Sequence, residues 1–329
     1  IFTLLTLAVS GLGHATLLLI QKWATYVFGA LNLLVGGFLC ATIDWPAVLN
    51  ASPAPMSAVI IGIGIMAAGT GIGWANAGAD MSRYQKHSVS ASQLVASAAW
   101  GAGIPLVLLI TLGGLLTVGN HALASATDPI AAIRNLLPSW MAVPYLLSAF
   151  GGLLLSNHLS VYSAGLTTLT LGVNIKRVQA VVVDIVAIFC GSIYFMLFAD
   201  SFYGPFITFI SLTAIPITAW VAIFIVDLLH RHYYSAHDLL DVSPRSAYWY
   251  KGGIEWRALG AWAIALVLGF CFTRVGSSDA DWFVGPLADS WLGHNGLGWV
   301  VTFAVAAGLY ALSGGAKDRR RCAPEAAHG

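Results

Sequence analysis

The apolar residues of the chain fall into long runs that short polar connections separate. Nine runs approach or exceed the roughly 20 residues with which a helix crosses a bilayer. They lie at residues 1–20, 24–42, 58–79, 92–118, 140–171, 179–198, 205–229, 258–273 and 297–313. Only 9% of the residues are charged, against about 25% in soluble proteins. The pattern predicts an all-α polytopic membrane protein.

The basic residues orient these spans, because Lys and Arg collect in short cytoplasmic loops. When successive loops alternate between the two sides, 13 of the 15 basic residues share one side and only Arg134 and Arg274 lie on the other. The larger group marks the cytoplasm, with residues 230–257 as its longest loop and residues 314–329 as a cytoplasmic tail. We therefore expect a multi-pass protein of the plasma (inner) membrane whose first spans precede residue 1.

The stretch GTGIGWANAGADMSRY, residues 69–84, weakens the third run with three glycines in five residues. Each glycine costs a helix about 1 kcal/mol relative to alanine. An unwound backbone at membrane depth is tolerated where it lines a cavity or contacts protein. Gly73, Trp74 and Asn76 are therefore predicted to bind substrate, because Trp74 offers a flat stacking face and Asn76 paired donors and acceptors.

Charged residues end this span. Asp80 and Arg83 stand three residues apart and could pair on one helix face at the cytoplasmic mouth. A structural lock or topology charge is one interpretation of the pair, and a role in gating or coupling is the other. For Gly62 and Gly64, earlier in the same run, close helix packing is the favoured interpretation.

Two further runs carry polar groups at bilayer depth. His158 lies in the polar band SNHLSVYSAGL, residues 156–166, and is either a proton carrier or a satisfied helix contact. Asp184 in the sixth run is a coupling residue if it faces a cavity. If it lies within a turn of Lys176 and Arg177, its side chain snorkels toward the surface instead.

Both motifs resemble one transporter family. The pattern GxGWxxxxxDxSRY is similar to the sixth-helix motif of the nucleobase:cation symporter-1 family, in its cytosine/purine permease branch. This resemblance implies that Trp74 stacks on a planar heterocycle. The band at residues 156–166 resembles the eighth-helix motif and retains Asn157, Tyr162 and Ser163, while Ser160 replaces the asparagine that binds the base. Asn157 and Ser160 are thereby implied as substrate ligands.

The resemblance implies a LeuT-type inverted-repeat fold, in which residues 1–329 form one transporter domain that holds helices 4 to 12 of twelve. The expected activity is import of a nucleobase or related heterocycle by cation symport and alternating access. Protons are favoured over Na⁺, because Gly151, Leu154 and Leu155 stand where sodium-coupled relatives place small and hydroxyl residues. No other cofactor, bound metal, nucleic acid or obligate protein partner is expected.

Three alternatives stay open. The same fold could carry an amino acid or another organocation, which would need no stacking tryptophan. A receptor derived from a permease is a second possibility. The histidine-rich stretch HRHYYSAHD, residues 230–238, suggests an intramembrane metalloenzyme, but a solvated loop explains it better. We therefore expect no enzyme activity.

Overall fold

Helices dominate the computed structural model. It describes residues 14–75, 77–82, 85–86, 88–124, 126, 128–170, 177–198, 203–231, 234–241, 243–277 and 280–314. The helices are α1 His14–Cys40, α2 Trp45–Leu49, α3 Met56–Thr70, α4 Gly78–Ser82, α5 Ala91–Gly119, α6 His121–Ala124, α7 Pro129–Leu136, α8 Ala142–Thr170, α9 Arg177–Leu197, α10 Tyr203–Arg231, α11 Ala236–Leu240, α12 Trp256–Cys271, α13 Trp291–His294 and α14 Gly298–Leu312. Strands β1 Arg274–Ser277 and β2 Ala280–Val284 form a hairpin.

Five segments of the described chain are long and apolar enough to cross a membrane. They are Leu19–Cys40, Met56–Trp74, Ala91–Gly119, Ser139–Gly165 and Gly204–Arg231. Three shorter apolar helices cover Gln179–Phe195, Trp256–Cys271 and Gly298–Leu312. These eight segments coincide with the second to ninth predicted runs, so the polytopic helical architecture is confirmed. The LeuT-type arrangement and the total number of spans stay predictions.

The predicted boundary between the first two runs is wrong. Helix α1 continues from His14 through Lys22 to Cys40, so Lys22 lies within a helix and not in a loop. The physical reason is that Gln21, Lys22 and Trp23 include neither glycine nor proline, and one charge does not end a helix. Residues 1–13 of the first run lie outside the described residues.

The chain divides into two compact units. One falls within Ile1–Pro53 and Ala77–Phe202, and the other within Ala54–Asn76 and Tyr203–Gly329. Helix α3 thus belongs to the second unit and α4 to the first. The glycine-rich stretch is where the chain passes from one unit to the other.

The first unit is built around α1, α5 and α8. Val35, Leu39, Leu116 and Met141 are buried in one apolar cluster. Close to it, the hydroxyl of Ser148 donates a 2.8 Å hydrogen bond to Asn32 Oδ1, which links α8 to α1. Bilayer lipids are as apolar as leucine, so packing and such polar contacts are what hold membrane helices together.

The second unit depends on small residues where α10, α12 and α14 cross. Ala219, Ala222, Ala265 and Ala306 are almost completely buried and form one cluster. Small side chains let helix backbones approach closely, and dispersion contacts then stabilise the crossing. Gly64 serves the same purpose for α3, because a Cβ atom there would lie 2.8 Å from the indole nitrogen of Trp299 on α14. The packing interpretation of Gly64 is confirmed.

A polar cluster at the end of α10 includes the first residues of the stretch 230–238, which the sequence analysis interprets as a solvated loop. Tyr234 and Tyr310 each donate a 2.8 Å hydrogen bond to the carboxylate of Asp227. Arg231 Nε lies 3.2 Å from the same carboxylate, and the guanidinium carbon lies 5.1 and 4.8 Å from the ring centroids of Tyr234 and Tyr248. The Arg231 side chain is only 5% exposed. Cation–π contact and the paired charges offset the cost of its burial.

Burial, followed by the hydrogen bond to Asp227, raises the pKa of Tyr234. Its hydroxyl group therefore stays protonated at physiological pH and remains a donor to the carboxylate. Tyr234 is thus fixed to α10 by its hydrogen bond to Asp227, whereas the side chain of His237 in the same stretch is 90% exposed.

The hairpin between α12 and α14 is a second feature absent from the sequence analysis. Its strands pair antiparallel, with a register irregularity between Val275 and Gly276. Arg274 donates to Asp281 at 3.0 Å and to Asp289 at 2.5 Å. This basic residue, one of two predicted on the outer side, is therefore neutralised by two carboxylates.

The packing at Gly64 predicts that Gly64→Ala destabilises the protein. The added methyl group has to displace a rigid indole ring, and overpacking of this kind costs about 1–3 kcal/mol. Gly62→Ala is the matched control, because the nearest neighbour of its Cβ atom would be Met66 Cε at 3.9 Å. Thermal unfolding of both variants in one detergent measures the effect. Equal unfolding temperatures for the two variants would contradict this role of Gly64.

The cluster at Asp227 predicts that Tyr310→Phe lowers the free energy of unfolding by about 1.5–3 kcal/mol, the usual contribution of a hydrogen bond to a charged group. Tyr26→Phe is the control, because Tyr26 is 63% exposed. The measurement is again thermal unfolding in detergent. If the two variants unfold together, the bond from Tyr310 to Asp227 does not stabilise the second unit.

Candidate functional site

The glycine-rich stretch interrupts the third span as the sequence predicts. Helix α3 ends at Thr70, and a single 3₁₀ turn, Ile72–Trp74, follows before α4 begins at Gly78. Within the turn, the Trp74 N–H donates to Gly71 O at 3.0 Å. The short 3₁₀ bonding replaces the regular helix bonds of α3.

Trp74 lies at the end of this turn, with 40% of its surface exposed. Gly73 beside it is exposed as well. A large aromatic ring that packs only partly within its own unit keeps a face available for another flat group. Asn76 and Arg83 lie outside the described residues, so the predicted pairing of Asp80 with Arg83 stays a prediction.

Asp80 on α4 has a partner that the sequence analysis did not name. The hydroxyl of Ser163 on α8 donates a 2.6 Å hydrogen bond to Asp80 Oδ2. A short bond from a hydroxyl to a carboxylate is stronger than one between neutral groups. It fixes the segment after the break to α8.

The polar band of α8 has a buried side and a more accessible side. His158, Tyr162 and Ser163 are 2%, 5% and 7% exposed. His158 and Tyr162 stand four residues apart and therefore share one helix face. His158 interacts with other groups of the chain. The structure therefore agrees with burial of this histidine at a helix contact, and its role as a proton carrier stays a prediction.

Asn157 and Ser160 stand three residues apart, which also brings two side chains to one face. Asn157 is half-buried and Ser160 is exposed. The Ser160 hydroxyl donates to Ser156 O at 3.1 Å, a bond within its own helix. Its oxygen then still has acceptor capacity for an N–H group of a ligand.

Asp184 lies in α9, which packs against α8 where a Cβ atom on Gly165 would approach Val181 to 2.9 Å. Asp184 Oδ2 is covered by protein and has no hydrogen-bond partner in the described part of the chain. A snorkelling side chain would expose its oxygens at the helix end. One oxygen of the half-buried Asp184 is covered, and the choice between a coupling role and a snorkelling side chain stays a prediction.

The positions compared with sodium ligands do not offer oxygen side chains. Gly151 lies against the ring of Phe28 on α1, and Leu154 and Leu155 are half-buried. Among the described residues, no group of three or more His, Cys, Asp and Glu side chains could hold a metal ion.

Two cavities that the sequence analysis did not anticipate lie inside the second unit. One of about 320 Å³ is lined by Ser211 and Trp299 among others. The other, of about 600 Å³, has Trp220 and Trp262 in its wall. Trp74 lines neither of them. Only knowledge of which helix faces meet could have revealed these cavities.

Comparison with known proteins gives one finding. A family model described as "Permease for cytosine/purines, uracil, thiamine, allantoin" matches residues 1–301. No curated protein and no solved structure matches significantly. The match covers the glycine-rich stretch, the polar band of α8 and Asp184.

The bond between Ser163 and Asp80 predicts that Ser163→Ala destabilises the first unit by about 1–2 kcal/mol, since the carboxylate loses a donor. Ser192→Ala is the control, because the Ser192 hydroxyl donates to Ile188 O within its own helix. The unfolding temperatures of the two purified variants are compared. A Ser163 variant as stable as the Ser192 variant would show that the bond does not fix the segment.

Proposed function

Because the chain belongs to the family of permeases for cytosine/purines, uracil, thiamine and allantoin, we propose that it imports a nucleobase or related planar heterocycle by cation symport. The proposed cycle is alternating access, in a LeuT-type fold in the plasma membrane with the C-terminus in the cytoplasm. A membrane permease is the class of protein that the family establishes, and the substrate and the coupling ion are our proposals.

The observation that carries the proposal is the 3₁₀ turn that ends in a part-exposed Trp74. A bilayer-spanning helix gives up hydrogen bonds only where another group or a ligand compensates. An indole face stacks on any planar heterocycle, and stacking on a nucleobase contributes about 1–3 kcal/mol. Gly73 has no side chain, so a ring can approach the backbone beside Trp74.

Polar groups then distinguish one heterocycle from another. Asn157 and Ser160 share a face of α8, and Asn76 follows the stacking tryptophan in the sequence. An amide matches a donor–acceptor edge of a base with two hydrogen bonds, whereas a hydroxyl offers one and occupies less space. Ser160, in the place of an asparagine, therefore suits a larger or differently substituted ring than cytosine.

Protons are the proposed coupling ion. Leu154 and Leu155 bring no oxygen to the position of a sodium site, and hard cations require oxygen ligands. His158 and Asp184 are the titratable groups of the described spans that we propose for coupling. Asp80, bonded to Ser163, and Arg83 are proposed to hold or release the segment after the break as the cycle proceeds.

Replacement of Trp74 tests the stacking site. In cells that lack their own base carriers, we expect Trp74→Ala to raise the apparent KM for the transported base by about 5- to 150-fold, the equivalent of 1–3 kcal/mol. Trp74→Phe should retain most of the uptake, because a ring remains. The substrates offered are radiolabelled cytosine, adenine, hypoxanthine and allantoin, together with two amino acids.

Trp291→Ala is the matched control, since Trp291 is 72% exposed and lies on the short helix α13. The amount of each variant at the cell surface is measured in parallel. Uptake of an amino acid and of no base would contradict the substrate class. Base uptake that is unchanged in Trp74→Ala would contradict stacking on this residue.

A further inference from the structure

Helix α9 carries a half-buried carboxyl group with one oxygen that has no hydrogen-bond partner among the described residues. Asp184 Oδ2 is covered by protein and has no hydrogen-bond partner among the described residues. Asp184 lies seven residues, or about 10 Å, along the helix from Arg177. Arg177 is therefore about two helix turns away from Asp184 along the chain.

Burial of an ionised carboxylate without a partner is costly, and such groups neutralise in preference to remaining charged. A neutral, protonated carboxyl group is far less expensive to bury. The surroundings of Asp184 Oδ2 are therefore compatible with the protonated acid.

The groups that face Asp184 follow from the packing of α9 against α8. Gly165 and Val181 mark the close contact, and Asp184 lies one turn further along α9. The corresponding turn of α8 carries Val161 and Tyr162, both buried, and His158 lies one turn beyond. Tyr162 and His158 are the titratable groups that α8 presents here, and neither is a fixed charge.

We propose that Asp184 is the proton-carrying residue of this permease; this inference rests on the proposed proton-coupled import. In each cycle, a proton from the outer solution binds to the carboxylate and forms the O–H bond of the neutral acid. The same O–H bond breaks on the cytoplasmic side, and the proton passes to water there. No other reactant is needed, because the proton gradient supplies the driving force.

The position of Asp184 explains why protonation affects the substrate. Asn157 and Ser160, the proposed base ligands, belong to the helix that packs directly on α9. A charge on Asp184 changes the most stable arrangement of α8 and α9, since the carboxylate then has to reach water. By linkage, the factor by which protonation of Asp184 strengthens binding of the base equals the factor by which the bound base strengthens binding of the proton.

Asp184→Asn tests the proposal, because it retains the size of the neutral acid and removes the exchangeable proton. We expect the wild-type protein to accumulate a labelled base, and a protonophore to abolish the accumulation. The variant should bring the internal concentration only to the external one, without sensitivity to the protonophore. It should still exchange labelled for unlabelled base in counterflow, which needs substrate binding and alternation but no net proton movement.

Asp128→Asn is the matched control. Asp128 caps α7 through a 3.0 Å bond from the Ala131 N–H, and asparagine caps a helix equally well. Its accumulation should remain that of the wild type.

The proposal is overturned if Asp184→Asn still accumulates base in a protonophore-sensitive manner. Loss of both accumulation and counterflow at a normal surface level would also overturn it, because Asp184 would then be required for binding or alternation and not for the proton. Wild-type protein that moves none of the bases would instead contradict the proposed function.

Infrared difference spectroscopy on the reconstituted protein tests Asp184 without any substrate. A carboxylic acid C=O band should decline as the pH is raised in the wild type and in Asp128→Asn, and should be absent from Asp184→Asn. The same band in all three proteins would assign the protonated acid to another residue and overturn the proposal.

Discussion

The backbone hydrogen bond is the constraint on which the rest of this structure depends. Inside a bilayer no water satisfies a free N–H or C=O group, so a chain must remain helical wherever it meets lipid. The third span departs from that rule between Thr70 and Gly78, where one 3₁₀ turn replaces regular helix. The break also lies where the chain passes from one unit to the other. A tryptophan at such a break costs little additional stability, since the helix has already been given up.

Association of the helices depends on a different interaction. Leucine side chains gain little from contact with each other when the alternative is lipid, so close packing of small residues and hydrogen bonds between polar side chains decide which helices meet. Two carboxylates illustrate this. The Asp80 carboxylate accepts a hydrogen bond from Ser163. The Asp227 carboxylate accepts hydrogen bonds from Tyr234 and Tyr310 and forms an ion pair with Arg231. In each case a hydroxyl group from another helix or loop offsets part of the free-energy cost of burying the carboxylate. The same hydrogen bond fixes the relative positions of two segments.

Periodicity and composition were sufficient to predict the spans, because run length is a property of the sequence alone. The break after Thr70 was predictable for the same reason, since glycines lower helix propensity wherever they occur. Lys22 misled the prediction because a charge indicates polarity and not the end of a helix. In the Asp227 cluster, the bond from Tyr310 joins residues that lie 83 positions apart, and no local pattern reveals it. The unpartnered oxygen of Asp184 belongs to the same class, because it depends on which face of α9 meets α8.

Helix α8 is the element through which these features of the first unit act on each other. It contacts α1 through Ser148 and Asn32, α4 through Ser163 and Asp80, and α9 through Gly165 and Val181. The proposed base ligands Asn157 and Ser160 lie between the first of these contacts and the other two. A rigid helix transmits a small rotation along its whole length, so a base that repositions its middle also alters the contacts with Asp80 and with the helix of Asp184. The proposed substrate recognition and the proposed proton binding can therefore be linked without any direct contact between the base and Asp184.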